Sequence, residues 1–318
     1  MMDPALSKIF CQSSVDRVLC EPCLRIVLFG SELTASPGLA SPLKAFIRHF
    51  GGQVAWYIDG FHQSRPKRLI KEKSIEVFEK MQTEITRPKG AVATLMGPSK
   101  KGEWRTPAFR YWKSGGISAP FVMMSLPIEW LNDNGGNGVK KFLQESLSDD
   151  FPLFSGYVGL SILWNDSFLS DETLLSNSFR KWLVRYPGLM HPTPLAQIDF
   201  ARNGLVDIGW ITLLGTALST KIGGMEPLIG RFLADSRSEI EIEKLTDRVL
   251  SIHAGPSPVL GDQTVNDFPM LQKEIGVALA ELRDSREITW LSVPGFSKNE
   301  VDKERWEWVN RFFPAQKS

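Results

Sequence analysis

Apolar and polar residues alternate along the chain in short segments, which predicts strands and helices that are interleaved. An apolar run at residues 24–29 ends at Gly30 and predicts a buried strand. Charged and apolar residues alternate in the sequence EIEIEKL at residues 239–245, which predicts a second strand with residues 249–254 as its hairpin partner. Because no regular strand-helix-strand repeat is present, we expect an α+β fold: a mixed, largely antiparallel sheet with helices packed on it.

Helical spacing of apolar residues predicts several helices between the strands. The best pattern consists of four apolar residues followed by two glycines, which predicts a helix that ends there. These residues are Ile211, Leu214, Leu218 and Ile222. Another helix is predicted to start near Ser170, because Asp171 and Glu172 would stabilise its first turn through the helix dipole. The Asn- and Gly-rich residues 133–138 predict a flexible loop.

The pattern offers no sharp linker, so we expect one intertwined unit. We assign residues 1–23 to an N-terminal extension, residues 24–285 to the α+β domain and residues 286–318 to a C-terminal aromatic-rich helical segment. Aromatic side chains of this last segment, such as Trp308 and Phe312, are good interface anchors. We nevertheless expect them to dock on the body of their own chain, which is the commoner arrangement for a terminal helix.

Composition excludes several classes of protein. The chain has 318 residues, of which 42% are hydrophobic and 23% charged, as is typical of a globular protein. No apolar stretch approaches the roughly 20 residues of a membrane span, and the N-terminus lacks the pattern of a secretory signal, so we expect a cytoplasmic location. The three cysteines lie close together; Cys20 and Cys23 form a C-x-x-C pair, which we interpret as reduced thiols without a role.

Catalytic motifs are absent from the sequence, since neither H-E-x-x-H nor G-x-S-x-G occurs. Polar residues converge at one place only, where His253 and Asp262 flank a loop rich in Gly and Pro. A small-molecule hydrolase built on His253 and Asp262 is therefore the alternative hypothesis. We favour a structural interpretation, in which the loop is rigid and Asp262 hydrogen-bonds its amides.

A basic run at residues 65–73 offers a further alternative, a module that binds nucleic acid. It would require this run and Lys100–Lys101 to share one face. The run lacks interleaved aromatic residues and is offset by Glu72 and Glu76, so we interpret it as a solvated surface. The formal net charge of the whole chain is only +1.

Three stretches together resemble a known family. They are the residues FPLFSGYVGL at 151–160, GWITLLG at 209–215 closing with IGG at 222–224, and AGP at 254–256 with LGD at 260–262. In order and spacing they are similar to the immunity proteins of type VI secretion systems. The resemblance covers residues 24–283 and is firmest from residue 120 onward.

The resemblance implies an immunity function. Members are encoded beside toxic effectors, some of them VRR-Nuc nucleases, and protect the producing cell by binding the toxin. For this chain the resemblance implies a cytoplasmic protein that binds one cognate effector, one to one. It also implies that the protein uses no cofactor or metal, does not contact nucleic acid directly and does not bind a membrane. The motif residues are apolar, Gly or Pro, so they do not locate the partner site.

Candidate contact residues follow instead from the expected charge of the toxin. A nuclease groove that holds DNA is basic, so its inhibitor should present carboxylates with a few apolar anchors. We choose the acidic residues on either side of the strand that contains Tyr157, together with two aromatic residues among them. They are Asp149, Asp150, Trp164, Asp166, Phe168, Asp171 and Glu172. A solvated helix start is the alternative interpretation of the same residues.

Overall fold

The structure is a computed structural model of the full chain. It describes residues 11–12, 18–31, 36–59, 65–87, 90–99, 105–113, 119–147, 151–164, 172–191, 194–201, 203–234, 239–283 and 303–314. Within these residues, no helix is both long enough and apolar enough to span a membrane.

Eleven strands of the described chain form one sheet. They are β1 (Cys11–Gln12), β2 (Val18–Gly30), β3 (Trp56–Asp59), β4 (Lys67–Arg68), β5 (Ala91–Met96), β6 (Ala108–Lys113), β7 (Phe121–Leu126), β8 (Leu153–Trp164), β9 (Ile211–Gly215), β10 (Ile240–Thr246) and β11 (Val249–Ala254). The order is β10-β11-β9-β8-β2-β7-β6-β5-β3-β4, with β1 also on β2. Every pairing is antiparallel. The predicted α+β class with a largely antiparallel sheet is confirmed.

Helices cover both faces of this sheet. They are α1 (Ser41–Phe50), α2 (Ser74–Thr86), α3 (Ile128–Ser146), α4 (Glu172–Arg185), α5 (Ile198–Ala201), α6 (Thr216–Thr220), α7 (Met225–Ala234), α8 (Met270–Ala278) and α9 (Lys303–Val309). Because both faces are covered, a central strand buries both of its sides. Leu24, Ile26 and Leu28 of β2 belong to one hydrophobic cluster, and Val27 and Phe29 belong to the other.

Helices α1, α2 and α3 pack on the first face. Phe46 of α1, Phe78 of α2 and Phe142 of α3 share a hydrophobic cluster with Leu28 and Phe109 of the sheet. The predicted loop at residues 133–138 lies inside α3, so that prediction is wrong. Only Gly135 leaves helical geometry, at φ +59° and ψ −167°, and it joins two helical segments. Glycine tolerates positive φ, so Gly135 lets the chain turn from one helical segment directly into the next.

The second face is covered by α4, α8, α9 and the C-terminal residues. Trp308 and Phe179 lie in the cluster over β2 and β8, while Phe312 and Phe313 pack with Ile275 of α8 over β9 and β11. Phe312 is fully buried. The described part of the aromatic C-terminal segment, residues 303–314, therefore docks on its own chain, as expected. Strand β2 begins at Val18 rather than at residue 24. The division of the chain at residues 23 and 285 stays a prediction.

The helix predicted from Ile211 to Ile222 is wrong. Residues 211–215 form strand β9, and only Thr216–Thr220 is helical. All five residues of β9 are buried, because β8 and β11 flank it and packed side chains cover both of its faces. A strand that is apolar on both sides places apolar residues at helical spacing by chance. At its end, a Cβ on Gly215 would lie 1.8 Å from the carbonyl oxygen of Leu153, so only glycine allows this approach.

Candidate partner-binding surface

The predicted contact residues lie largely beyond the part of the chain that the structure describes. Asp149, Asp150, Asp166, Phe168 and Asp171 fall outside the described residues. Trp164 is the last residue of β8 and Glu172 the first of α4, and their side chains are outside the description as well. The proposed acidic cluster therefore stays a prediction. Ser170, the predicted cap of α4, also falls outside.

His253, one half of the hydrolase hypothesis, lies on β11 next to the end of the sheet. Its Nε2 atom is 3.1 Å from Ser251 Oγ and 3.4 Å from Glu243 Oε1. A serine hydrolase uses one ring nitrogen for the nucleophile and the other for the carboxylate. Here a single nitrogen meets both groups, so the three residues do not form such a triad.

Burial determines the charge of His253. Removal from water lowers the pKa of the imidazole, and this effect outweighs the opposing attraction of Glu243 and Glu241. The ring is therefore neutral at pH 7. Glu243 also forms an ion pair with the ammonium of Lys140 on α3. His253, Ser251, Glu243 and Lys140 are therefore a set of polar side chains in contact between the β10–β11 hairpin and α3.

Asp262, the second residue of the hydrolase hypothesis, stabilises the loop in which it lies. Arg185 of α4 donates to its Oδ2 at 2.6 Å, and the Thr264 amide donates to its Oδ1 at 2.9 Å. These hydrogen bonds from Arg185 and Thr264 hold the pKa of the carboxyl far below its usual range. In the described part of the chain, no hydrogen bond or ion pair joins Asp262 to His253. The loop-amide interpretation of Asp262 agrees with this geometry.

Metal and thiol chemistry finds no support in the described residues. No three His, Cys, Asp or Glu side chains among them converge as metal ligands. Cys20 and Cys23 are both reduced and buried. Burial raises the pKa of the Cys23 thiol, so the reactive thiolate is disfavoured at neutral pH.

The two ends of the sheet differ in charge. At one end, Lys67 and Arg68 of β4 are exposed, and Lys71 and Lys73 follow them. Lys67 forms an ion pair with Asp59 at 2.6 Å. Lys100 and Lys101 fall outside the described residues, so the common basic face that a nucleic-acid module requires is not tested.

The opposite end is strand β10, which carries exposed carboxylates. Glu239 precedes the strand and is exposed, and the side chain of Glu241 is 68% exposed. Lys140 approaches Glu241 only to 4.0 Å. Glu226 on neighbouring α7 is 74% exposed and pairs with Lys244 at 2.6 Å. Sequence reasoning recognised the alternation of this strand but did not identify its acidic side chains as a candidate surface.

A buried polar cluster holds the C-terminal segment against the body. Arg311 reaches Asp207 at 3.1 Å, and their side chains are 4% and 3% exposed. Arg283 donates to the carbonyl oxygens of Val206 at 3.1 Å and Val309 at 2.7 Å. Burial lowers the pKa of Arg283 to about 9. The paired groups are far apart in sequence, so no local pattern indicated them.

The fold defines an α+β protein, and the polar groups described above hold its hairpin, its loop at Asp262 and its C-terminal helix in place. Comparison with known families identifies the particular group. Residues 39–312 match the family TsiV, described as type VI immunity for VRR-NUC. The chain belongs to this family, which confirms the resemblance drawn from the sequence.

Solved structures share the fold. The chain is similar to a Pseudomonas aeruginosa protein, "T6SS protein PA0821", with a TM-score of 0.76 and 15% sequence identity. The similarity covers 94% of this chain and 84% of that one. A search among curated proteins gave no match.

Proposed function

We propose that this protein neutralises a VRR-Nuc effector of a type VI secretion system by binding it directly. The family match over residues 39–312 is the observation that carries the proposal. The protein would act stoichiometrically, one to one, by covering the active or substrate-binding site of the effector. It would need no cofactor and no turnover.

The polar chemistry of the described residues supports binding over catalysis. His253 is neutral and bonded within its own hairpin, and Asp262 is held by Arg185. Neither is left available for a substrate in this arrangement. The nuclease substrate is DNA, so we place the encounter in the cytoplasm, with the immunity protein contacting the effector and not the nucleic acid.

We further propose that the acidic residues before and after β8 take part in the contact. These are Asp149, Asp150, Asp166, Asp171 and Glu172, with Trp164 and Phe168 as apolar anchors. Carboxylates would compete with phosphates for the basic groove of the nuclease.

Co-expression with the effector encoded next to this protein tests the function. We expect cells to survive and the two proteins to co-elute in size-exclusion chromatography. In a plasmid-cleavage assay, nuclease activity should fall linearly with added immunity protein and vanish at one equivalent. Cell death, or survival without a complex, would rule out neutralisation by direct binding.

Charge reversal tests the acidic contact residues. Asp166→Lys and Asp171→Lys together should weaken binding at least tenfold, because close charge pairs across such interfaces contribute well over about 1 kcal/mol. Glu76→Lys on α2 is the matched control, since Glu76 is exposed and lies on another element. Equal affinity of the double variant and the control would remove these residues from the interface.

A further inference from the structure

The geometry points to the outer edge of β10 as a strand-addition site for the effector. We infer that an extended effector segment, basic at every second position and apolar between, pairs with residues 239–244. The inference rests on the proposed function and specifies where part of the contact lies. It concerns a surface distinct from the acidic residues around β8.

One side of the β10 backbone faces away from β11. The amide of Gly255 donates to the carbonyl oxygen of Glu239 at 3.1 Å, and Glu239 stands opposite Gly255 in the antiparallel register. Backbone groups of an antiparallel strand point to alternate sides. Residues 239, 241 and 243 therefore bond to β11, and the amides and carbonyls of Ile240, Ile242 and Lys244 point outward.

No other strand of the described chain pairs with this side. Strand β10 is the end of the sheet order, and no described backbone group bonds to the outward amides of Ile240, Ile242 or Lys244. The segment from residue 239 to the irregularity after Lys244 spans roughly 17–20 Å at strand rise. This length accommodates five or six residues of an added strand.

Side chains of β10 present different chemistry on the two faces. Ile240 and Ile242 are half-buried and pack, like Phe232 of α7, against the cluster that includes Leu214 and Leu250. Glu239 and Glu241 project to the other face, the one from which Lys140 of α3 approaches. An added strand thus meets carboxylates on one face and apolar surface on the other.

The chemistry of the edge selects the occupant. Cationic side chains opposite Glu239 and Glu241 would be stabilised as cross-strand pairs, and apolar ones would extend the contact of Ile240 and Ile242. A nuclease that holds DNA must carry clustered Lys and Arg. A second copy of this chain would place the same carboxylates near each other, so like charges disfavour pairing between two β10 edges.

A pair of substitutions at one position separates backbone pairing from side-chain contact. Ile242→Pro removes an outward amide that no described strand uses, and edge strands tolerate proline when the amide faces outward. Ile242→Ala removes similar side-chain bulk but keeps the amide. With a catalytically inactive form of the neighbouring effector as the probe, we expect the proline variant to bind about tenfold or more weaker than the alanine variant.

Hydrogen exchange on the unmodified protein gives a test that no substitution can disturb. Free in solution, the amides of Ile240, Ile242 and Lys244 should exchange fast, while those of Glu241 and Glu243 are protected by β11. In the complex with the inactive effector, the three outward amides should become protected. Glu241→Lys should also weaken binding about tenfold, with Glu76→Lys as the control.

The outcomes distinguish this inference from the proposed function. If the unmodified protein forms no complex, neutralisation by direct binding fails. If the complex forms but the outward amides keep their fast exchange, and Ile242→Pro binds like Ile242→Ala, strand addition at β10 is wrong while the immunity function stands. Protection of the outward amides together with the proline effect establishes the site.

Discussion

The buried pair of Asp207 and Arg311 provides the sharpest test of what stabilises this fold. We consider Asp207→Ala, which removes the carboxylate and leaves the guanidinium in place. Both side chains are almost inaccessible to water. Arg283 lies close enough that Asp207 raises its pKa while Arg311 lowers it. Without Asp207, two neighbouring arginines lose a shared anion.

The magnitude follows from the contacts that are lost and kept. Removing one partner of a buried ion pair costs about 3–5 kcal/mol, because an uncompensated charge remains. The Ile208 amide also loses its acceptor, which Asp207 provides at 2.9 Å. Arg311 keeps bonds to the carbonyl oxygens of Pro187 at 2.6 Å and Trp308 at 3.0 Å. We therefore expect a loss of about 3–4 kcal/mol, a large share of the roughly 5–15 kcal/mol that stabilises a typical domain.

Urea denaturation followed by tryptophan fluorescence measures this loss. Asp207→Asn keeps an acceptor of the same shape but not the charge, so it should cost less than Asp207→Ala, by about 1–2 kcal/mol. The double variant Asp207→Ala with Arg311→Met should recover stability relative to Asp207→Ala, because the unpaired charge is gone. A loss below about 1 kcal/mol for Asp207→Ala, or simple additivity in the double variant, would refute this account of the cluster.

Three further predictions concern other parts of the fold. Gly215→Ala should destabilise by about 1–3 kcal/mol, since its Cβ would meet the Leu153 carbonyl at 1.8 Å; Gly230→Ala, where nothing lies within 4 Å, should not destabilise in the same thermal melt. Phe312→Ala should cost about 3–5 kcal/mol in urea denaturation, because the ring is fully buried; a cost under about 1 kcal/mol would contradict its core position. His253 has a lowered pKa when folded, so only the unfolded chain takes up its proton as pH falls below its ordinary value. Stability should therefore decline from pH 7.5 to 5 more steeply than in His253→Gln, and parallel profiles would contradict the burial of a neutral ring.

The sequence indicated some residues of the candidate surfaces and not others. The carboxylates around β8 were chosen by charge alone and stay a prediction. The alternation at residues 239–245 was recognised, yet its position at the edge of the sheet depended on knowing which of the described strands lies last. Pairing of Asp262 with the loop amide of Thr264 was expected, whereas its bond to Arg185 was not. Arg185 lies 77 residues away along the chain, beyond the reach of a local pattern.

The amino-acid sequence by itself determined the α+β class, the β10–β11 hairpin and the membership of an immunity family. These features depend on local alternation, turn residues and ordered motifs, all of which can be read over a few residues. Tertiary structure alone decided that residues 211–215 form a strand, and that Asp207 meets Arg311 in the core. Both depend on contacts between residues that are distant in sequence. A strand that is buried on both faces does not alternate between apolar and polar residues, and an ion pair between distant residues exists only once the chain has folded.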